Sequence, residues 1–319
     1  MKWKKLGRIY NPEEHYSPNK EWRKHFAQSV STLVFDDFIR VYFSCRPDND
    51  SEGQAKSYTT YLDLDKKNLF KIIKISDNPV MDLGGIGDFD EFAVYPTSVI
   101  KENDKILMYY AGWSRCKSVP FNTSIGLAIS DDNGMTFNRI GKGPILSSSL
   151  NEPFVISGPK IRKFNDKWYL FYLAGKKWIK DNGTPEIIYK IRMATSTDGI
   201  NWVRVDKDII SDLIDENECQ AGPDVFYLDG QYHMYFVYRH GLNFRKEKNR
   251  GYKIGYAISK DLINWERKDD ECGIGYSEEG WDSEMHHYPH VFSIGDDYYM
   301  LYNGNEFGKN GFGIAILEK

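Results

Sequence analysis

The stretch PDVFYLDGQYHMYFVYR, residues 223–239, places two runs of strand-forming residues on either side of Asp229-Gly230. Asp-Gly between alternating apolar runs is a strong local signal for a β-hairpin. The same pattern recurs as VSTLVFDDFIRVYFS (30–44), PTSVIKENDKILMYYAGW (96–113), PKIRKFNDKWYLFYLAG (159–175) and PHVFSIGDDYYMLYNGN (289–305). The starts at Val30, Pro96, Pro159, Pro223 and Pro289 lie 66, 63, 64 and 66 residues apart. A steady period of this size marks a repeat architecture.

A second repeat follows the three middle hairpins: SIGLAISDDNGMTFNRI (124–140), IYKIRMATSTDGINWVRV (188–205) and GYKIGYAISKDLINWERK (251–268). Each reads as strand, polar turn and strand, with Phe137, Trp202 and Trp265 at matching places. Hairpin plus second repeat gives four antiparallel strands, the content of one propeller blade. The fifth unit stops after its third strand, at GFGIAILEK, and the N-terminal WKKLGRIY resembles the fourth strands NWVRV and NWERK. Lending that segment to the last unit would close the ring and remove the exposed edges. The expectation is an all-β, five-bladed β-propeller spanning 1–319 as one domain, closed by the N-terminal strand. A β-sandwich also uses short, regularly spaced strands, but does not ordinarily repeat at a fixed period.

Composition agrees. The 22 Tyr, 18 Phe and 8 Trp favour pleated strands. A net charge of -4 offers no concentrated basic face, which argues against nucleic acid or an anionic membrane as partner. The N-terminus is basic but lacks an apolar run, and nowhere do eighteen apolar residues follow one another, so the expectation is a soluble, cytoplasmic protein. Cys45, Cys116, Cys219 and Cys272 lie far apart with no metal-type pairing, and read as reduced core thiols. No cofactor or metal is expected. His286, His287 and His290 sit on an extended segment where alternate side chains diverge.

In a propeller with short strand-one-to-two turns on one face, the longer loops gather on the other, where binding residues collect. Five residues before the aligned start stand His25, Glu91, Phe154, Glu218 and Glu284. Asp90 and Asp282 lie nearby, and Glu152 flanks the third blade. These acids sit among aromatic and small residues, as in FDEFAVYP, ENECQAGP and WDSEMHHYP, where a solvated loop would be more uniformly polar. The second strands end on Arg46, Trp113 with Arg115, Lys176, Arg239 with His240, and Asn303 with Asn305. Carboxylates beside guanidinium, amide and indole groups suit a sugar: acids for proton transfer, planar donors for hydroxyls, an indole for the apolar face of the ring. Each of these acids and bases would otherwise be an ordinary surface charge or ion-pair partner.

These features resemble the five-bladed β-propeller glycoside hydrolases and their relatives, the arabinanases and xylosidases, the fructosidases and the β-mannoside phosphorylases. The resemblance covers nearly the whole chain and rests on the five repeats, the blade-opening acids and the closing YNGNEFGKNGFGIA. It implies catalytic acids at the inner ends of different blades, commonly one in the first. This chain departs there, with Gln28 in HFAQSVS where an acid is expected. The leading expectation is therefore a glycoside hydrolase, with Glu218 as general acid, Glu91 as base or nucleophile, Asp90 in reserve, and Glu284 tuning Glu218 as a like charge. Gln28, Arg46, Trp113, Lys176, Arg239, His240, His287, Tyr288 and Asn303 are the candidate substrate-binding residues. A phosphorylase would replace water by phosphate held at Arg46, Lys176 and Arg239. A carbohydrate-binding propeller without chemistry is the third reading.

Overall fold

The computed structural model describes residues 1–319, the side chain of Thr97 excepted. Among the described residues the strands form five sheets, each of four antiparallel strands in radial order. The first blade runs His25–Val34, Phe38–Arg46, Tyr58–Asp65 and Asn68–Ile75. The second comprises Ala93–Glu102, Lys105–Arg115, Phe121–Ser130 and Asn138–Arg139, and the third Ile156–Phe164, Lys167–Asp181, Thr184–Ser196 and Val203–Arg204. The fourth holds Cys219–Leu228, Gln231–Arg239, Lys253–Ser259 and Glu266–Arg267. The fifth joins His287–Ile294, Asp297–Asn303 and Phe312–Leu317 to Trp3–Tyr10, which pairs with Phe312–Leu317 from Trp3 opposite Leu317 to Tyr10 opposite Phe312. The chain is thus a five-bladed propeller closed by its N-terminal strand.

The second strands are apolar on both faces because each lies between two neighbouring blades. Successive side chains point to opposite faces of a strand. Accordingly, Met108 and Tyr110 enter the core shared with the first blade, while Tyr109 enters the one shared with the third. Leu170 and Tyr172 face back towards the second blade, and Phe171 faces forward to the fourth. The same division holds for Met234 and Tyr235 and for Met300 and Leu301, so the hydrophobic interior is a set of five wedges between blades. The fourth-strand aromatics are part of these wedges: Phe137, Trp202 and Trp265 meet Tyr42, Tyr109 and Phe171 of the preceding blade at 5.8, 6.2 and 6.3 Å between ring centroids.

Ser-x-Asp in the second repeat also has a local cause. Asp132, Asp198 and Asp261 each turn a carboxylate onto two backbone N–H groups of the turn that follows, as Asp198 does with Ile200 and Asn201 at 2.8 Å. Hydrogen bonds from Asn201, the backbone one foremost, hold Asp198 well below the usual carboxylate range.

The blade-opening acids form a second repeated device. Asp90 accepts from Tyr110 Oη and Arg139 Nε, both at 2.8 Å. Glu152 accepts from Tyr172 Oη at 2.7 Å and from Arg204 Nε at 2.6 Å. Asp282 accepts from Tyr302 Oη at 3.0 Å and from Lys5 Nζ at 2.6 Å. Glu218 accepts from Arg267 Nη1 at 2.6 Å, with the Tyr238 ring 4.4 Å below that guanidinium. In every case the cation comes from the outermost strand of the same blade and the ring from its second strand, so the acid ties the entry loop to the blade's rim. The first blade reverses the polarity: Arg23 Nη1 donates to Ser76 O at 2.8 Å, just past the fourth strand.

Among the described residues no helix is long and apolar enough to cross a membrane. All four cysteines are free thiols: Cys45 and Cys219 are buried and Cys272 is half-buried against the core, whereas Cys116 departs from the core-thiol expectation and is exposed, its loop lying beyond the wedges.

Candidate active site on the propeller axis

The five innermost strands do not start straight. Register breaks fall at His25/Gln28 and Gln28/Ser31, Pro96/Ser98, Ser157/Lys160, Ala221/Asp224 and His287/His290. A bulge re-aims side chains at the rim of a sheet. Here the residues immediately before the aligned start, Ser29, Tyr95, Gly158, Gly222 and Tyr288, all line one inner well on the axis. Gly158 and Gly222 have φ of 60° and 54°, where glycine is at ease and leaves room. Ser29 and Tyr288 hold the same left-handed conformation at 58° and 50°.

Backbone strain of this kind concentrates around the opening. Phe26, Tyr288 and Phe307 have φ of 64°, 50° and 61°, whereas most other non-glycine residues with positive φ are Asn or Asp in turns. A bulky aromatic in that region is held there at a cost of about 1–3 kcal/mol, and such residues cluster at functional sites.

The well has a volume of about 150 Å³, and a cavity of that size accommodates about one six-membered ring. It opens into a mouth of about 750 Å³, with Tyr95, Trp113, Phe121, Tyr288 and Phe307 common to both. Tyr95, Trp113 and Phe121 stack in sequence, 5.6 and 5.3 Å between centroids. Trp113 thus stands stacked between two rings of its own blade where the well meets its mouth.

Of the residues read from sequence, the structure brings Gln28, Arg46, Trp113, His287, Tyr288 and Glu284 to this opening. Gln28 donates from Nε2 to Phe307 O at 2.6 Å and leaves its buried Oε1 without a partner among the described residues. Arg46 lies 5.0 Å over Phe26 and 5.3 Å over Trp113, with Nε unpartnered. His287 Nδ1 accepts from Tyr288 N at 2.9 Å, which puts the ring proton on Nε2. Burial, then the Arg239 charge, pushes the His287 pKa well down, so it is a neutral donor at the well. Tyr95 Oη donates to Tyr288 Oη at 3.0 Å. Glu284 is exposed in the mouth.

The remaining candidates stand elsewhere. Glu218 is fully buried and its carboxylate is taken up by Leu213 N, Ile214 N, Gln220 Nε2 and Arg267, a structural ion pair outside the well. Asp90 is the equivalent tie of the second blade, and Glu91 accepts from Gly87 N within its own loop at 2.9 Å. The expected closeness of Glu218 and Glu284 in one cleft is therefore not met. Arg239 is buried under Phe244, 3.5 Å from the ring centroid, and donates to the carbonyls of His240 and Ile187, which leaves it no access to an anion. His240 lines neither the well nor its mouth. Lys176 pairs with Asp208 at 3.2 Å, and Asn303 donates to Ala27 O and Gly311 O, stitching the last blade to the first.

Sequence reasoning missed Tyr95, Tyr189, Tyr252, Phe307 and above all Lys160. Lys160 lines the well at its base, is 6% exposed and has its pKa pushed down to about 8 by burial, against the pull of Asp224. The signal was present one residue after the aligned start, where the sequence has Ser31, Thr97, Lys160, Asp224 and His290, a polar residue in every repeat. Glu306 was missed as well; it borders the mouth, and the neighbouring Asn305 accepts from Glu284 N and Met285 N through Oδ1 at 2.8 and 3.0 Å, binding the two acid-bearing loops together. Among the described residues no group of three or more His, Cys, Asp or Glu is placed to hold a metal ion.

The fold and site define the class as a closed five-bladed propeller with a strained, ring-sized axial well. The family model for the glycosyl hydrolases family 32 N-terminal domain matches residues 83–255, more than half of the chain, and the protein belongs to that family. An uncharacterized protein of Mycobacterium tuberculosis is 33% identical over 319 residues, covering 100% of both chains. A beta-1,2-mannobiose phosphorylase of a Thermoanaerobacter species is 27% identical over 146 residues, 42% of this chain and 45% of that one. A solved structure of a glycoside hydrolase superposes with a TM-score of 0.71 at 16% identity, covering 98% of this chain and 91% of its own, a likeness of fold.

Proposed function

We propose that the protein is a glycosidase that seats one sugar ring in the axial well and cleaves the glycosidic bond at the mouth, with Glu284 and Glu306 as the carboxylate pair. The observation that carries this reading is the gathering of strained aromatic residues, Phe26, Tyr288 and Phe307, around a ring-sized cavity on the axis of a propeller of this family. Gln28 Oε1, Arg46 Nε and His287 Nε2 supply an acceptor and two donors for sugar hydroxyls. Hydrolysis needs one carboxyl to protonate the leaving oxygen and another to activate water or attack the anomeric carbon. Glu284 remains from the acids read in sequence. Glu306, on the loop that Asn305 ties to it, replaces Glu218 and Glu91 in the pair.

The test is a panel of aryl glycosides assayed with and without inorganic phosphate. Free sugar should be released without phosphate, and Glu284→Gln should lower kcat by about a hundredfold or more while leaving thermal unfolding unchanged. Arg46 at the mouth favours a second reading, phosphorolysis, which would show as a phosphate requirement and a sugar 1-phosphate product. No turnover on any glycoside, with or without phosphate, would contradict both.

A further inference from the structure

The base of the well carries an unbalanced positive charge. Lys160 and Arg162 come from the third blade, Asp224 from the fourth, His290 from the fifth and Thr32 from the first. Asp224 Oδ1 is engaged by Arg162 Nη2, and Oδ2 by His290 Nδ1 at 2.9 Å and Val291 N at 2.8 Å. Lys160 Nζ stands 3.8 Å from Asp224, beyond hydrogen-bond reach. Its neighbour at 3.1 Å is His290 Nδ1. That nitrogen is no acceptor: Thr32 N–H donates to His290 Nε2 at 3.0 Å, so the ring proton sits on Nδ1 and is given to Asp224. Burial, with Lys160 next in weight, lowers the His290 pKa to about 4, so the ring adds no charge at neutral pH. One carboxylate thus answers two cations. The ammonium of Lys160 has no oxygen acceptor among the described residues, although a buried charge is ordinarily paired.

Lys160 and the Nε2–H of His287 both border the well, and among the described residues no carboxylate does so; Glu284 and Glu306 line only the mouth. We propose that the well selects a sugar bearing a carboxylate, a uronic acid residue, with Lys160 as counter-ion and His287 as a second donor to the carboxylate. A single cation and one neutral donor match a monoanion; the double charge of a phosphate monoester would be left half compensated. The proposal rests on the well being the sugar subsite and names the class of sugar it takes.

The test is calorimetric titration of the full chain with glucuronate, galacturonate and mannuronate beside glucose, galactose and mannose at pH 7. At least one uronate should bind about tenfold or more tighter than its parent hexose. Lys160→Met should abolish that difference. Asp224 retains Arg162 and His290 in that variant, so thermal unfolding should change little. In the unmodified protein the uronate preference should fall as pH rises through about 8, where the Lys160 ammonium loses its proton. Asp224, Arg162 and His290 face the same ammonium; Asp224 is held far down and His290 titrates near 4, both outside that window. This pH series decides the matter even if the variant does not fold. Hexose binding equal to uronate binding, or a preference that survives Lys160→Met or high pH, would overturn the carboxylate proposal while leaving the sugar subsite intact. Tighter binding of hexose 6-phosphates or inorganic phosphate would overturn it in favour of a phosphoryl group. Failure of every sugar to bind would overturn the subsite as well.

Discussion

Removing residues 1–10 should destabilise the protein by roughly 5–9 kcal/mol, a change comparable to the whole stability of an ordinary domain. The segment buries Trp3, Ile9 and Tyr10, and each such side chain contributes about 1.5–3 kcal/mol when withdrawn from water. It also donates from Trp3 Nε1 to Tyr235 Oη at 2.7 Å and supplies Lys5, the cation of the fifth-blade tie to Asp282. Without it, Phe312–Leu317 becomes an open edge, which invites pairing between molecules. Urea unfolding of the truncated chain should show an early midpoint and concentration-dependent association. A truncated protein that unfolds like the full chain would contradict closure by this strand.

The second large effect separates structural acids from chemical ones. Glu218→Gln should lower stability by about 3 kcal/mol, because it withdraws the charge opposing buried Arg267 and leaves that guanidinium with Asp269 and the Ser211 carbonyl. In a chain of this size that is about 5 °C or more in the unfolding temperature. Turnover by the surviving folded fraction should be largely retained, since the carboxylate is enclosed by its own loop. Glu284→Gln should behave in the opposite way. Loss of activity without loss of stability in Glu218→Gln would return that residue to the chemistry.

The fold was legible because propeller geometry repeats in sequence. Both faces of each second strand are buried, so the tyrosine-, phenylalanine- and methionine-dense runs recur at a steady interval, and the fourth strand that the last unit lacks is readable in WKKLGRIY, which resembles NWVRV. The site was less legible for a physical reason. Counting a fixed five residues back from the aligned start mixes acids of two kinds, because the entry loops differ in length: the ties are Asp90, Glu152, Glu218 and Asp282, at six, seven, five and seven residues. An acid among aromatics looked like a cleft, whereas the aromatics were the rings and wedges that enclose a buried ion pair. Bulges then turned the residues nearest the aligned start towards the axis, and no alternation pattern carries a bulge. Gly158 and Gly222 in matching places, with Ser29 and Tyr288 beside them in the alignment, were the readable trace of it.

The central claim is that the axial well is where sugar binds. A crystal soaked with mixed neutral and acidic monosaccharides tests it most directly. The account requires one ring in the well, bordered by Tyr95, Trp113 and Tyr288, within hydrogen-bond distance of His287 Nε2 and with its outward carbon turned towards Glu284 and Glu306. A sugar held instead beside Glu218 or Glu91, with the well unoccupied, would contradict it.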